Sequence, residues 1–396
     1  MAQKGALEGI KVLDLTRVLA GPYCCAILAD MGADVIKIEQ PGTGDDARFF
    51  NPFKNGESSY YMNMNRSKRG ITLNLKKGKD IFLKMVESAD VVVENYRPGV
   101  MKKLGLDYEE LKKVNPRIIY AAVSGFGQTG PYSQWPGYDL IAQAMSGIMS
   151  VTGEEDGDPT RAGGPICDAV GGLTASIGIL AALQYRNKTG IGQMIDISLL
   201  DSAVSIMTII NQHYLVDGRI PQRRGNSYES GAPMESYRAS DGDIVLAVGN
   251  DKMWKKLVEL MEMPELLEKP EFATVHKRVQ NRIACKEYIE QWSQQRTVDE
   301  LVKIMIDTGI PAAPIYNIAQ VCNDPHIAGA RNMFTEFDHP VAGKVKVTNT
   351  AIRMSETDAC VKCPPPVLGQ HNDEVYKEVF GFSEAEVEDF RKAGII

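Results

Sequence analysis

Between residues 9 and 40 the chain reads GIKVLDL, then PYCCAILADMG, then ADVIKIE: a short apolar strand, a helix opened by Pro22, and a second apolar strand. This spacing leaves little choice of fold, because strands joined through one helix pair in parallel by a right-handed crossover. The pattern recurs. GITLNL (70–75) and DVVVEN (90–95) read as strands flanking the amphipathic KKGKDIFLKMVESA, and PGVMKKLGLDYEELKKV reads as one or two helices. RIIYAAVSGFG (117–127) is a further strand, and GQMIDISLLDSAVSI is strand then helix. The alternation predicts an α/β fold with a doubly wound parallel sheet and ligands at the carboxyl ends of its strands. From about residue 218 the texture turns polar and glycine-bearing. The expected organisation is a large α/β domain over 1–217, a smaller α+β domain with its linker over 218–330, and a segment 331–396 that returns to the large domain.

Composition narrows the function. A length of 396 residues suits two domains, and 44 Lys+Arg against 51 Asp+Glu give a formal charge of −7, no global attraction for nucleic acid or an anionic membrane. The first residues, MAQKGALEGIKVLDL, hold no apolar signal core, and the sequence reads without a stretch of about 18 apolar residues to span a bilayer, so a cytoplasmic location is expected. Seven scattered cysteines suggest reduced thiols, and Cys360-x-x-Cys363 lacks the second pair a zinc site needs, so no metal is expected. The first loop, TRVLAGP, carries only Gly21 at its turn, which disfavours a dinucleotide. Glu39 stands where a ribose-binding acid would, or is simply a solvated strand end.

The stretch most suggestive of chemistry is GGPICDAVGGLTAS (163–176), where Asp168 lies between two glycine pairs and opens an apolar helix. Asp is a favoured helix cap. The glycines on both sides also let backbone or ligand come close. Such a carboxylate is expected to stay ionised at the positive end of the helix. Tyr138 and Asp139, on the glycine-rich run into LIAQAMSG, read equally as cap and as ligand contacts. Cations cluster at predicted strand ends: Arg66, Lys68 and Arg69, then Lys76 and Lys77, then Arg97, Lys102 and Lys103. Together they suggest a polyphosphate site, and singly they suit solvated helix faces. The five histidines are isolated and read as structural, and no Ser-His-acid set is present.

LEGIKVLDLTRVLAGPYCCAILADMGADVIKIEQP, NRSKRGITLNL, VVENYRPGVMKKLGLDYEELKKVNPRIIY, SGFGQTGP, the Asp168 stretch, TGIGQMIDISLLD, GIPAAPI and LGQHNDEV, in this order, make the chain resemble the class III CoA-transferases. The resemblance implies a large Rossmann-like domain plus a smaller domain, in two chains interlocked as rings, with each active site between the large domain of one chain and the small domain of the other. It makes Asp168 the nucleophile, with coenzyme A or acyl-CoA as substrate and no tightly bound cofactor. It places the CoA site at Val18, Leu19, Gln40, Leu73, Asn74, Leu75, Lys76, Asn95, Tyr96, Arg97, Lys103, Gly137 and Tyr138, with Asp139 near the reacting carboxyl group. Some relatives carry arginine where Gln40 stands, and RRGNSYESGAP (223–233), with its Gly225–Gly231 loop, is a thin counterpart of a glycine-rich flap. Arg223, Arg224 and Tyr237 are candidates for a second carboxylate. Two alternatives stand: a 2-methylacyl-CoA racemase and a non-catalytic CoA-binding protein. The racemase needs a second acid/base where this chain has Tyr138, and a tyrosine with a pKa of about 10 is a poor base at neutral pH.

Overall fold

Six short strands build the main sheet: β1 Lys11–Asp14, β2 Asp34–Glu39, β3 Arg69–Thr72, β4 Val91–Glu94, β5 Ile119–Ser124 and β6 Met194–Ser198. They lie in the order β3-β2-β1-β4-β5-β6, and every neighbouring pair is parallel. Central strands such as VVVE and IYAAVS are buried along their whole length, as a parallel sheet covered on both faces requires. The strand order reverses between β1 and β4, where Val12 faces Val35 on one side and Val91 on the other. From β1 the chain goes on to the neighbour on one side and from β4 to the neighbour on the other, and a crevice is expected at the carboxyl ends of the two strands.

The computed structural model describes residues 5–396, and these divide into two compact units. One holds everything described up to Ile148, with Arg161–Gly218 and Pro325–Ile396; the other holds Met149–Thr160 and Arg219–Asp324. The large domain expected over 1–217 is therefore not unbroken: the loop-rich Met149–Thr160 belongs to the second unit. Nothing in the composition of VTGEEDGDPT signals that excursion, because its partners lie far along the chain. Thr152 and Gly153 accept backbone bonds from Thr160 and Gly225.

The large unit also holds the helices α1 Ala20–Asp30, α2 Lys79–Val86, α3 Asp139–Met145, α4 Ile166–Thr189, α5 Leu199–Ile206 and α6 Thr208–Asp217, the last with no buried residue. One apolar cluster joins Leu13, Ile36, Phe82 and Val92 to Tyr376, Phe382 and Val387, so the C-terminal segment packs on this sheet. Helix α4 corrects the expectation that no stretch is long and apolar enough to span a bilayer. Its 24 residues, with a mean hydropathy of 1.8 in the most apolar window, have the length and composition to cross a membrane. A buried core helix passes the same test, and α4 packs closely on two neighbours. A Cβ on Gly172 would stand 2.6 Å from the Ala20 carbonyl of α1, and one on Gly171 would stand 2.6 Å from Leu199 Cδ2 of α5.

The small unit pairs β7 Met234–Arg238, β8 Asp243–Ala247 and β9 Ala312–Pro314 as an antiparallel sheet over a core that includes Trp254, Phe272 and Trp292. Within that core Arg278 is fully buried, its guanidinium donating to the carbonyls of Ala232 and Phe272 and to Asp251.

The cation cluster before β3 serves the interior and not a polyphosphate. Lys68, with no exposed surface, donates to Asp14 at 2.8 Å, to Asn65 at 2.9 Å and to the Pro22 carbonyl at 3.0 Å. Arg66 is paired with buried Asp30 at 2.8 Å, and Arg69 bridges Asp34 and Glu374. Burial alone would raise the Asp14 carboxyl, but Lys68 and Lys37 hold it below the usual carboxylate range. Lys68→Met leaves that carboxylate without its main partner, and loss of one member of a buried pair costs about 3–5 kcal/mol. Urea denaturation of the variant is expected to show a loss of that size, and an unchanged midpoint would contradict the role given to Lys68.

Candidate active site

The crevice at the β1/β4 reversal is built by two loops that clasp each other. Asn95, just after β4, accepts from Arg17 N at 2.7 Å and donates to Arg17 O at 2.8 Å. Arg17 in turn lies over the Tyr96 ring at 5.3 Å. The next residue, Val18, has φ 68°, a left-handed conformation that costs a β-branched side chain energy. It is held by Asp45, whose Oδ1 accepts from Val18 N at 3.1 Å and whose Oδ2 is paired with buried Lys37 at 2.9 Å. Lys37 also donates to the Thr16 carbonyl. A buried ion pair therefore keeps the first loop in its strained form.

A cavity of about 200 Å³ opens there, and its lining includes Val18, Leu19, Asn95, Tyr96, Arg97, Gly137, Tyr138 and Asp168. A second, of about 390 Å³, is lined by Gln40, Leu73, Asn74, Leu75 and Lys76 and shares Tyr96 as a wall. Residues predicted from distant stretches thus gather in two cavities with a common side chain. Lys103 lines neither; it is exposed on the helix Val100–Leu104. Asp139 also lines neither cavity.

Asp168 is not the cap of its helix. It is the third residue of α4, which starts at Ile166. The cap comes from another helix: Asp139, at the start of α3, accepts from Cys167 N at 2.7 Å and from Asp168 N at 3.2 Å through Oδ1. Its Oδ2 accepts from the buried Gln143 amide at 2.6 Å. The expectation of a fully ionised Asp168 is also corrected. Burial, with the Asp139 charge adding to it, pushes the Asp168 carboxyl up to about 7. The like charge that caps the helix opposes the ionisation that a helix N-terminus favours.

The two glycine pairs have different uses. Gly171 and Gly172 allow helix packing, whereas a Cβ on Gly163 or Gly164 would meet nothing within 4 Å. Open space beside Asp168 suits the approach of a carbonyl compound. Two polar groups at the site were not legible in the sequence. Tyr60, on the short helix Ser59–Met64, has its hydroxyl pushed up to about 12 by burial, with the charges of Asp168, Asp45 and Asp139 adding. Ser124 Oγ, buried at the end of β5 and lining the first cavity, has no hydrogen-bond partner among the described residues. Tyr60 sits in no motif, and Ser124, though it opens SGFGQTGP, carries no signal of its own there; folding alone assigns both their places.

Other expectations are settled by partners. Glu39 is neither a solvated strand end nor a free ribose ligand: it is 4% exposed and accepts from Arg48, Tyr61 and Asp45 N. Tyr237 is buried in the small unit's core, which removes it as a carboxylate ligand, and Arg224 lies 3.8 Å from Glu229. His339 and His371 accept backbone N–H bonds at turns. Among the described residues no group of three His, Cys, Asp or Glu could hold a metal, and all seven cysteines are free.

Comparison with known proteins shows the family of the chain. A family model described as CoA-transferase family III matches residues 7–372. The human succinyl-CoA:glutarate CoA-transferase is 38% identical over 393 residues, covering 98% of this chain and 90% of that protein. The acetyl-CoA:oxalate CoA-transferase of Acetobacter aceti is 42% identical over 358 residues, 90% of each chain. A crystal structure of a CAIB/BAIF family protein from Brucella suis superposes with a TM-score of 0.86 at 38% identity, covering 95% of this chain and all of that one.

The Asp139–Asp168 pair makes a prediction with a definite sign. Asp139→Asn removes the like charge that raises Asp168, so the Asp168 carboxyl should titrate about one unit lower. Carbon-13 NMR of aspartate-labelled protein measures this directly. An unchanged or higher value in the variant would show that the two carboxylates do not interact.

Proposed function

The chain belongs to CoA-transferase family III, and from that premise we propose that Asp168 is the nucleophile through which it moves coenzyme A from an acyl-CoA to a free carboxylic acid. The observation that carries this reading is the position of Asp168: on the first turn of α4, facing the cavity that also gathers the loops after β1 and β4. Attack of the carboxylate on the thioester carbonyl breaks the C–S bond and gives a mixed anhydride and CoA thiolate. The thiolate then attacks the aspartyl carbonyl, releasing the donor acid and leaving an aspartyl-CoA thioester. The acceptor carboxylate attacks that thioester, and the thiolate it frees takes the new acyl group and restores Asp168. Two thioesters are broken and two made, so the net reaction exchanges one acyl-CoA for another with no water consumed.

Each step passes through an oxyanion that backbone N–H groups can stabilise. The raised pKa of Asp168 suits this chemistry, because a more basic carboxylate is a better nucleophile once ionised, and the charge that Asp139 opposes disappears in both covalent adducts. CoA would run along the second cavity, past Tyr96, with Lys76 and Arg97 available to its phosphates. Glutarate and oxalate, the acids named for the two relatives, are dicarboxylic, and we extend that class to this chain's acceptor. Racemisation lacks a second base here, since Tyr138 holds that place.

We also propose a homodimer, interlocked as in the family. Its support is the run of exposed apolar side chains Ile209, Leu215 and Val216 on α6, each more than 60% exposed, on a helix with no buried residue.

Mutation, trapping, a substrate panel and light scattering test the reading. Asp168→Ala should lower exchange by at least about a thousandfold and leave CoA binding nearly unchanged, and hydroxylamine should trap an adduct on wild-type Asp168 only with acyl-CoA present. Absence of that adduct with any active donor would end the nucleophile assignment. In a panel of labelled acids scored by mass spectrometry, dicarboxylic acids should form CoA esters in preference to monocarboxylic ones of equal length. Light scattering should return twice the chain mass of 43.6 kDa; a monomer would remove the dimer.

A further inference from the structure

Gln143 is a fully buried polar side chain one helical turn beyond Asp139 on α3. Its carboxamide has each of its groups engaged. Nε2 donates to Asp139 Oδ2 at 2.6 Å and to the Gly164 carbonyl at 3.5 Å, while Oε1 accepts from Ala162 N at 2.8 Å. It therefore ties the carboxylate that caps α4 to the glycine segment that leads into Asp168. Glutamine suits this place because it offers donors and an acceptor at one end without a charge; an ionised Glu has no donor, and Leu or Met has neither.

We propose that Gln143 is a positioning residue for the reaction: its carboxamide holds Asp139 against the N-terminus of α4 and fixes the Ala162–Gly164 segment beside the Asp168 carboxylate. The proposal rests on the reading of Asp168 as nucleophile. Without Gln143, Asp139 loses its partner on Oδ2 and can turn away from Cys167 N and Asp168 N, and the backbone at Ala162 loses its bond. Both changes displace Asp168 and the space in which the thioester carbonyl must lie. Gln143 lines neither cavity, so its effect falls on turnover and not on the binding of CoA.

The titratable groups that feel the Asp139–Asp168 pair are Tyr60 on the short helix, which also feels Asp45, and Cys167 on α4, while Arg17, Asp46, Tyr96, Arg97 and Tyr138 line the cavity that Asp168 lines. On the segment that Gln143 binds, Arg161 donates to the carbonyls of Ala162 and Gly163. None of these is altered by Gln143→Glu, which keeps the shape of the side chain. When protonated, the introduced carboxyl can still donate to Asp139 and accept from Ala162 N. Once it loses its proton it faces Asp139 as a second like charge.

The test compares wild type, Gln143→Leu and Gln143→Glu in CoA exchange across pH, with hydroxylamine trapping of the Asp168 adduct in each. Gln143→Leu is expected to lower kcat by about tenfold to a hundredfold, the usual cost of misplacing a reacting group, with KM for acyl-CoA held within about twofold. For Gln143→Glu the ratio of its kcat to that of wild type should fall by about tenfold between about pH 6 and about pH 9. A purely structural role would lower the folded fraction and leave that ratio independent of pH. If Gln143→Leu does not fold, Gln143→Glu decides alone. A trapped wild-type adduct together with a flat ratio would overturn the proposal and leave the nucleophile standing. No adduct on wild-type Asp168 would overturn both.

Discussion

Strands β1 and β4 lie side by side, yet the chain leaves them in opposite directions across the sheet, and the gap between their carboxyl ends is the constraint on which the site depends. A gap by itself is only a place. It becomes a site because Asn95 clasps the backbone of Arg17 from across the reversal and because Asp45 holds Val18 in a conformation that valine resists. The strain at Val18 has to be balanced by surrounding structure, and the Lys37–Asp45 pair with no exposed surface on either side chain supplies that balance.

The chain's cations are distributed according to the same need. An acidic protein with clusters of Lys and Arg near strand ends invites a phosphate-binding reading, and part of that reading fails. Lys37, Lys68 and Arg66 lie inside, opposite Asp45, Asp14 and Asp30. Buried pairs of this kind add little net stability beside an apolar core, but loss of one partner is costly. Their effect here is to fix where the first loop and the segment before β3 run. The cations left at the cavities are Lys76, Arg17 and Arg97.

Two carboxylates meet at the start of α4 for opposite reasons. Asp139 takes the helix N–H groups and so does the capping that Asp168, by its place in the sequence, was equally suited to do. Asp168 is left with its side chain facing the cavity and with a pKa near neutrality. A helix cap supplied from outside the helix therefore leaves the residue inside it free to face the cavity, and it also sets the charge that residue must overcome to ionise.

The sequence by itself determined the parallel sheet, because strand and helix periodicities are local and recur at close spacing from residue 9 to residue 206. It also pointed to the carboxyl ends of the strands and to the glycine-flanked helix start at Asp168, and the family resemblance narrowed these to particular residues of the loops after β1 and β4. Only the tertiary structure decided the rest. It gave Glu39 three internal donors, took Lys68 and Tyr237 into cores, brought Ser124 to the cavity and Tyr60 within reach of the Asp168 charge, and moved Met149–Thr160 into the second unit. The physical reason is the same in each case. A side chain's charge state and partner depend on what lies within a few ångströms of it, and for these residues that neighbour is tens or hundreds of positions away along the chain.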